Sequence, residues 1–201
     1  MKQLIVKINK VVLLLTLSDI FTWGSFLVIS SLSGIYLAER LGGNTVEFIG
    51  LGTGIYFVTR AIFQIPIGLL TDKFERDHDE IIVLAIGSIL AGVPYLFYPL
   101  ITQSWHYFIL QFVFGIGVSL NLVTWRKLFT LNVNEGEEGK EYAFYGSAVS
   151  AVTAVISVIL GIIANMGDKY FDTVMMVSGI IMILACIWIL LIYKVQNRKS
   201  E

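Results

Sequence analysis

Residues 173–193 read TVMMVSGIIMILACIWILLIY, a run of 21 residues without an acidic or basic side chain. About 20 consecutive apolar residues are enough for an α-helix to cross the roughly 30 Å of hydrocarbon in a bilayer. A backbone in lipid must satisfy its own hydrogen bonds, and a run this long without alternation does not suit a barrel strand. The segment therefore predicts a transmembrane helix.

Further apolar runs precede this segment, separated by short clusters of charged residues. They span residues 11–37, 48–70, 81–101, 105–125 and 142–166. The whole chain of 201 residues is 56% hydrophobic and 14% charged, whereas soluble domains average about 45–50% apolar and about 25% charged residues. We therefore predict an all-α membrane protein whose residues 1–201 form a single domain of six transmembrane helices.

The composition also excludes several functions. A net charge of −1 offers no basic field for nucleic acid. Cys186 is the single cysteine, so there is no disulfide framework and no cysteine-rich metal site. The histidines, His78 and His106, lie in a loop and at a helix end, without a credible nucleophile beside them. We expect no enzymatic activity, no cofactor and no bound metal.

The basic residues predict how the chain is oriented in the membrane. Eleven of the 14 lysines and arginines fall on the side that holds both termini, and two, Arg40 and Lys169, fall on the other. The positive-inside rule then places both termini in the cytoplasm, in a multi-pass protein of the cytoplasmic (inner) membrane.

Two ionisable residues lie well inside the predicted spans. Asp19 is about 13 Å from the cytoplasmic end of the first span and Arg60 is about 15 Å from that of the second, at 1.5 Å per residue. An unpaired charge at this depth costs about 2.5–3.5 kcal/mol or more on insertion scales. We therefore predict an Asp19–Arg60 ion pair. It either locks two helices together, or it binds a proton, a cation or the substrate.

Other polar residues recur at helical spacing on the first, second and fourth spans. With the two charged residues, they give a predicted substrate or ion pathway that contains Asp19, Trp23, Tyr56, Arg60, Gln64, Gln111 and Ser119. The fifth span carries a stripe of small residues, which either lines this interior or allows close helix packing, and Gly50 and Gly54 allow the same packing. The third and sixth spans are nearly free of polar residues and can tolerate contact with lipid. This recurrence after three spans predicts a 3+3 inverted repeat.

The loop after the second span resembles a known signature. Residues 68–76 read GLLTDKFER, which is similar to the G-x-L-a-D-r-x-G-r-[rk] motif of the major facilitator superfamily. Glu75 replaces the second glycine of that motif and Asp77 replaces its last basic residue. In the family this loop is a gating latch, and the resemblance gives that role to Gly68, Asp72, Lys73 and Arg76.

The resemblance implies a secondary transporter of a small solute that works by alternating access. A chain with six spans corresponds to the N-terminal half of such a transporter. We therefore expect a lipid bilayer around it, a small solute with or without a coupling proton or cation, and a partner that is a second copy or another six-helix chain. A fragment of a split twelve-helix transporter, or a membrane scaffold or assembly subunit that transports nothing, is the alternative.

Overall fold

The computed structural model describes residues 8–74 and 77–197, and within these ranges the fold is helical and has no strand. Its α-helices are α1 Lys10–Asp19, α2 Ser25–Leu41, α3 Thr45–Thr71, α4 Asp77–Leu96, α5 Ser104–Asn132, α6 Glu138–Ala164 and α7 Asp168–Asn197. Helix α1 begins where the Asn9 side chain accepts a hydrogen bond from the backbone N–H of Val11 at 2.9 Å, which caps its first turn. A π-helical turn, Ile20–Gly24, joins α1 to α2 without a break in the helical path.

Five helical segments of the described chain are long and apolar enough to cross a membrane. They are Lys10–Thr71, His78–Leu100, Ser104–Asn132, Glu138–Ala164 and Asp168–Val195. The multi-pass membrane class predicted from the composition is thus confirmed. The first segment has 62 residues, about three times the length that one crossing needs.

A reversal of the chain lies inside that first segment. Gly42 ends α2 with a φ of +73°, a backbone conformation that glycine adopts without a steric penalty. A short 3₁₀ turn, Gly42–Asn44, then leads into α3. The rings of Phe26 on α2 and Tyr56 on α3 lie 6.5 Å apart, so the two helices run side by side after the turn.

Helix α4 crosses its neighbours at glycines. A Cβ atom added to Gly92 would lie 2.6 Å from the carbonyl oxygen of Gly179 on α7, and one on Gly117 of α5 would lie 2.5 Å from the backbone nitrogen of Ala91. Such distances are below van der Waals contact, so the backbones approach this closely only because no side chain intervenes. These crossings hold α4, α5 and α7 together.

Helices α4 and α7, whose spans hold so few polar residues that they were predicted to tolerate lipid, each bury one face. Ser88 and Ser178, two of those few, are fully buried. On α7, Met175 and Met182 are also fully buried, whereas Ile187 on the opposite face is 51% exposed. Lipid contact is therefore possible on only one side of each helix.

Helix α6 is the most exposed of the long helices. Val155, Val158 and Ile162 on its outer face are 60–64% exposed. Helix α3 also presents apolar residues outward, and Ile65 is 71% exposed. Four glycines considered for close packing meet no neighbour, because a Cβ atom on Gly50, Gly54, Gly146 or Gly161 would meet nothing within 4 Å. Thr153, in the stripe of small residues on α6, does pack closely, since a Cβ atom on Gly24 would lie 3.2 Å from its hydroxyl oxygen.

Candidate functional site

A cavity of about 500 Å³ opens between α1, α3, α5 and α6. Its lining residues are Asp19, Trp23, Arg60, Leu122, Trp125, Arg126, Thr130, Tyr142 and Tyr145. The predicted pathway residues among them are Asp19, Trp23 and Arg60. Arg126, Thr130 and Tyr142 are exposed, so they form the mouth of the cavity.

Asp19 lies at the inner end of this cavity, at the junction of α1 with the π-helical turn. Its side chain is 2% exposed. One carboxylate oxygen accepts a hydrogen bond from the Tyr145 hydroxyl of α6, and the other has no hydrogen-bond partner. π-Helical turns often mark functional sites, and a buried carboxylate with a free oxygen has capacity left to bind a proton or a cation.

The predicted Asp19–Arg60 ion pair is wrong, since no such pair forms among the described residues. Arg60 instead bonds along its own helix. Its guanidinium donates to the Tyr56 hydroxyl at 3.0 Å, and the Gln64 amide oxygen, in the orientation that satisfies both groups, accepts from it at 3.2 Å. Tyr56 and Gln64 are each four residues from Arg60, the spacing at which side chains on one helix face meet.

A layer of aromatic rings separates this cavity from a second, smaller one. The Trp23 ring lies 5.2 Å from that of Phe26, and the Phe114 ring lies 5.3 Å from that of Phe26 and 5.1 Å from that of Tyr56. Trp23 lines the first cavity, whereas the other three line the second, which has a volume of about 190 Å³. The first cavity is therefore closed at its inner end.

The remaining pathway residues lie outside the first cavity. Gln111 lines the second cavity and donates a hydrogen bond to the Tyr107 hydroxyl at 2.6 Å. Ser119 is fully buried and donates to the Gly115 carbonyl of its own helix at 2.8 Å, so its hydroxyl is used within the helix.

Asp72, one of the residues that resemble the gating motif, belongs to a partly buried ion cluster centred on Lys127 of α5. The Lys127 ammonium lies 2.7 Å from a Glu80 carboxylate oxygen, 3.5 Å from one of Asp72, and donates to the Thr71 carbonyl at 2.7 Å. One cation thus joins the C-terminal end of α3, the start of α4 and the end of α5. The predicted latch residue Asp72 belongs to this cluster.

The other latch residues have less defined contacts. The Gly68 carbonyl accepts from the backbone N–H of Asp72 at 2.9 Å and so closes the last turn of α3. Lys73 is exposed and forms no ion pair within the described part of the chain. Arg76 lies outside the described residues.

Arg126, Lys127 and Tyr145 are not among the site residues predicted from the sequence. The fourth span was predicted to end at residue 125, just before both cations, whereas α5 continues to Asn132. The helical spacing of Gln111, Gly115, Ser119, Leu122 and Arg126 carried a signal for Arg126. No pattern marked Tyr145, because its role depends on how α6 packs against α1.

The chain resembles known transport proteins. A family model for the Major Facilitator Superfamily matches residues 12–201. The inner membrane transport protein YajR of Escherichia coli (strain K12) is 38% identical over 73 residues, 35% of this chain and 16% of that protein. An uncharacterized transporter of Buchnera aphidicola subsp. Schizaphis graminum is 43% identical over 82 residues, 41% of this chain and 19% of that protein. From these shares, this chain spans less than half the length of either relative.

Proposed function

Because this chain belongs to the Major Facilitator Superfamily, whose members are membrane transporters, we propose that it is a secondary transporter of a small solute that works by alternating access. The observation that carries the proposal is the cavity of about 500 Å³ that is open at one end and bounded at the other by a layer of aromatic rings. Its volume lies within the roughly 300–1,000 Å³ of small-molecule sites. A cavity with one closed end is the form that alternating access requires.

Asp19 is the residue that we assign to coupling. It is buried at the end of the cavity with one free carboxylate oxygen. Intramembrane acids that face a cavity commonly serve proton or ion pathways. A coupling proton or cation bound at Asp19 would change the charge beside the Tyr145 hydroxyl, which comes from a different helix.

We further propose six crossings of the cytoplasmic membrane, arranged as a 3+3 inverted repeat with both termini in the cytoplasm. The reversal at Gly42 supports this number, because it divides the 62-residue first segment into two helices that run side by side. With six crossings, the mouth of the cavity lies on the cytoplasmic side, where Arg126 and Thr130 are found.

The transporter acts, in this proposal, together with a second six-helix domain, supplied by a second copy or by another chain. One helix bundle alone forms the wall of the cavity. The exposed sides of Arg60 and Arg126 would then face the bilayer. Helices α3 and α6 also carry unpacked glycines on their exposed faces. Small residues allow helices in membranes to pack closely, so a second bundle could pack against α3 and α6.

A flux assay tests the proposal. The purified protein is reconstituted in liposomes, a panel of labelled solutes is applied, and uptake is compared with that of the Asp19→Asn variant. We expect saturable uptake of at least one solute by the native protein and loss of uptake against a gradient in the variant. Lys169→Gln is the control, since Lys169 is exposed and does not line the cavity. Full concentrative uptake by Asp19→Asn would refute the coupling role.

The pairing is tested separately by the mass of the protein in detergent or nanodiscs. A dimer, or a complex with a second membrane chain, is expected. A strict monomer that carries out saturable transport would contradict the pairing while leaving the transport function intact.

A further inference from the structure

The charged groups that line the cavity differ in how accessible they are. Its one acid, Asp19, is 2% exposed and accepts a hydrogen bond from Tyr145. Arg60 is half-buried and Arg126 is exposed. A solute in the cavity therefore meets positive charge first.

Neither arginine is neutralised within the described chain. Arg60 bonds to the neutral side chains of Tyr56 and Gln64. Arg126 takes part in no ion pair or hydrogen bond of the described residues. A charge at membrane depth without a counter-charge is costly, so a bound anion would stabilise Arg60.

The two arginines lie at different depths along the cavity. Lys127, the neighbour of Arg126, donates to the carbonyl of Thr71, the last residue of α3. Arg60 lies 11 residues before Thr71, which is about 16 Å along the helix axis. Arg126 is thus at the mouth and Arg60 is deep in the cavity.

Aromatic rings form much of the remaining wall. Trp23, Trp125, Tyr142 and Tyr145 all line the cavity. Such rings favour an apolar or planar body, whereas a guanidinium binds carboxylate or phosphate oxygens in a paired geometry.

We propose that the solute is an organic anion with an apolar or planar body and a carboxylate or phosphate head group, which Arg126 attracts at the mouth and Arg60 binds within the cavity. The inference rests on the proposed transport function and names the class of solute that would be transported. It does not depend on the identity of the coupling ion.

Binding to the purified protein tests the inference without any measurement of flux. Trp105→Phe and Trp188→Phe leave Trp23 and Trp125 as the emitting residues, and both line the cavity. The probes share one ring and differ in charge: benzoate, phenyl phosphate, the neutral benzamide and the cationic benzylamine. We expect a saturable change in emission with benzoate or phenyl phosphate, at least about ten-fold tighter than with benzamide or benzylamine. The tighter of the two anions identifies the head group.

Single variants then assign the site. Arg60→Gln is expected to weaken binding of the anion by about ten-fold or more, and Arg126→Gln by a smaller factor. Lys169→Gln removes one exposed positive charge outside the cavity and should leave binding unchanged. Arg126→Gln breaks no ion pair or hydrogen bond of the described residues, so it keeps the test valid if Arg60→Gln does not fold.

Three results would overturn the inference: no emission change with either anion at concentrations up to about 10 mM, equal or tighter binding of benzylamine or benzamide, or unchanged anion binding in both arginine variants. Failure of the transport function has a different signature. In that case the anions bind with the expected preference and depend on the arginines, but no labelled solute crosses the liposome membrane.

Discussion

The ion cluster around Lys127 gives the sharpest prediction about stability. Glu80 has a side-chain exposure of 4% and lies 2.7 Å from the Lys127 ammonium, whereas Asp72 is 73% exposed and lies 3.5 Å from it. Lys127→Met leaves the Glu80 carboxylate buried without a counter-charge, which costs about 3–5 kcal/mol. The exposed Asp72–Lys127 pair contributes at most about 1 kcal/mol.

A double-mutant cycle separates these two pairs. We expect a coupling energy of about 1.5–3 kcal/mol between Glu80 and Lys127, from Glu80→Gln and Lys127→Met alone and combined. The matched cycle with Asp72→Asn should give less than about 1 kcal/mol. The measurement is the free energy of unfolding in mixed micelles containing SDS, followed by tryptophan fluorescence.

The outcome decides which acid holds Lys127 in place. Equal coupling in the two cycles, or no destabilisation by Lys127→Met, would refute the reasoning from burial. Combining Glu80→Gln with Lys127→Met should recover part of the loss, because the buried carboxylate is then replaced by a neutral group.

Two further predictions concern contacts between helices. Gly92→Ala should lower the free energy of unfolding by about 1–3 kcal/mol, because the added Cβ lies 2.6 Å from the Gly179 carbonyl oxygen. Gly54→Ala is the control, since its Cβ meets nothing within 4 Å. Equal effects of the two substitutions would contradict the close crossing of α4 and α7. Tyr145→Phe should lower the free energy of unfolding by about 1–3 kcal/mol, because it removes the hydrogen-bond donor to the buried Asp19. In an Asp19→Asn background the same substitution should lower it by less. An equal loss in both backgrounds would show that this hydrogen bond is not the source of the effect.

The sequence predicted the helical membrane class because length and apolarity alone suffice for it. Runs such as residues 173–193 have only one stable conformation in lipid. The bounds were less well determined where a helix continues into water. Helix α5 extends past residue 125 to Asn132. Charged residues in the last turns of a helix give the same sequence pattern as charged residues in a loop.

Part of the candidate site also followed from spacing. Asp19, Trp23 and Arg60 were predicted as pathway residues and line one cavity; whether a solute passes them remains a prediction. The nearly equal depth of Asp19 and Arg60 in the membrane did not make them an ion pair. The Arg60 guanidinium instead bonds to side chains four residues away on its own helix. The contact of Asp19 with Tyr145 joins residues 126 positions apart, and only the packing of the helices shows it.

Alternating access is the central claim, and the accessibility of two cysteines tests it most directly. In a Cys186→Ser background, Thr130→Cys reports on the mouth of the first cavity and Ser33→Cys reports on the second cavity, beyond the aromatic layer. Each is labelled with a membrane-impermeant thiol reagent in vesicles of both orientations, with and without the solute that the flux assay identifies. The account predicts that the solute changes the two reactivities in opposite directions. Reactivities that rise or fall together, or that do not change during active transport, would contradict it.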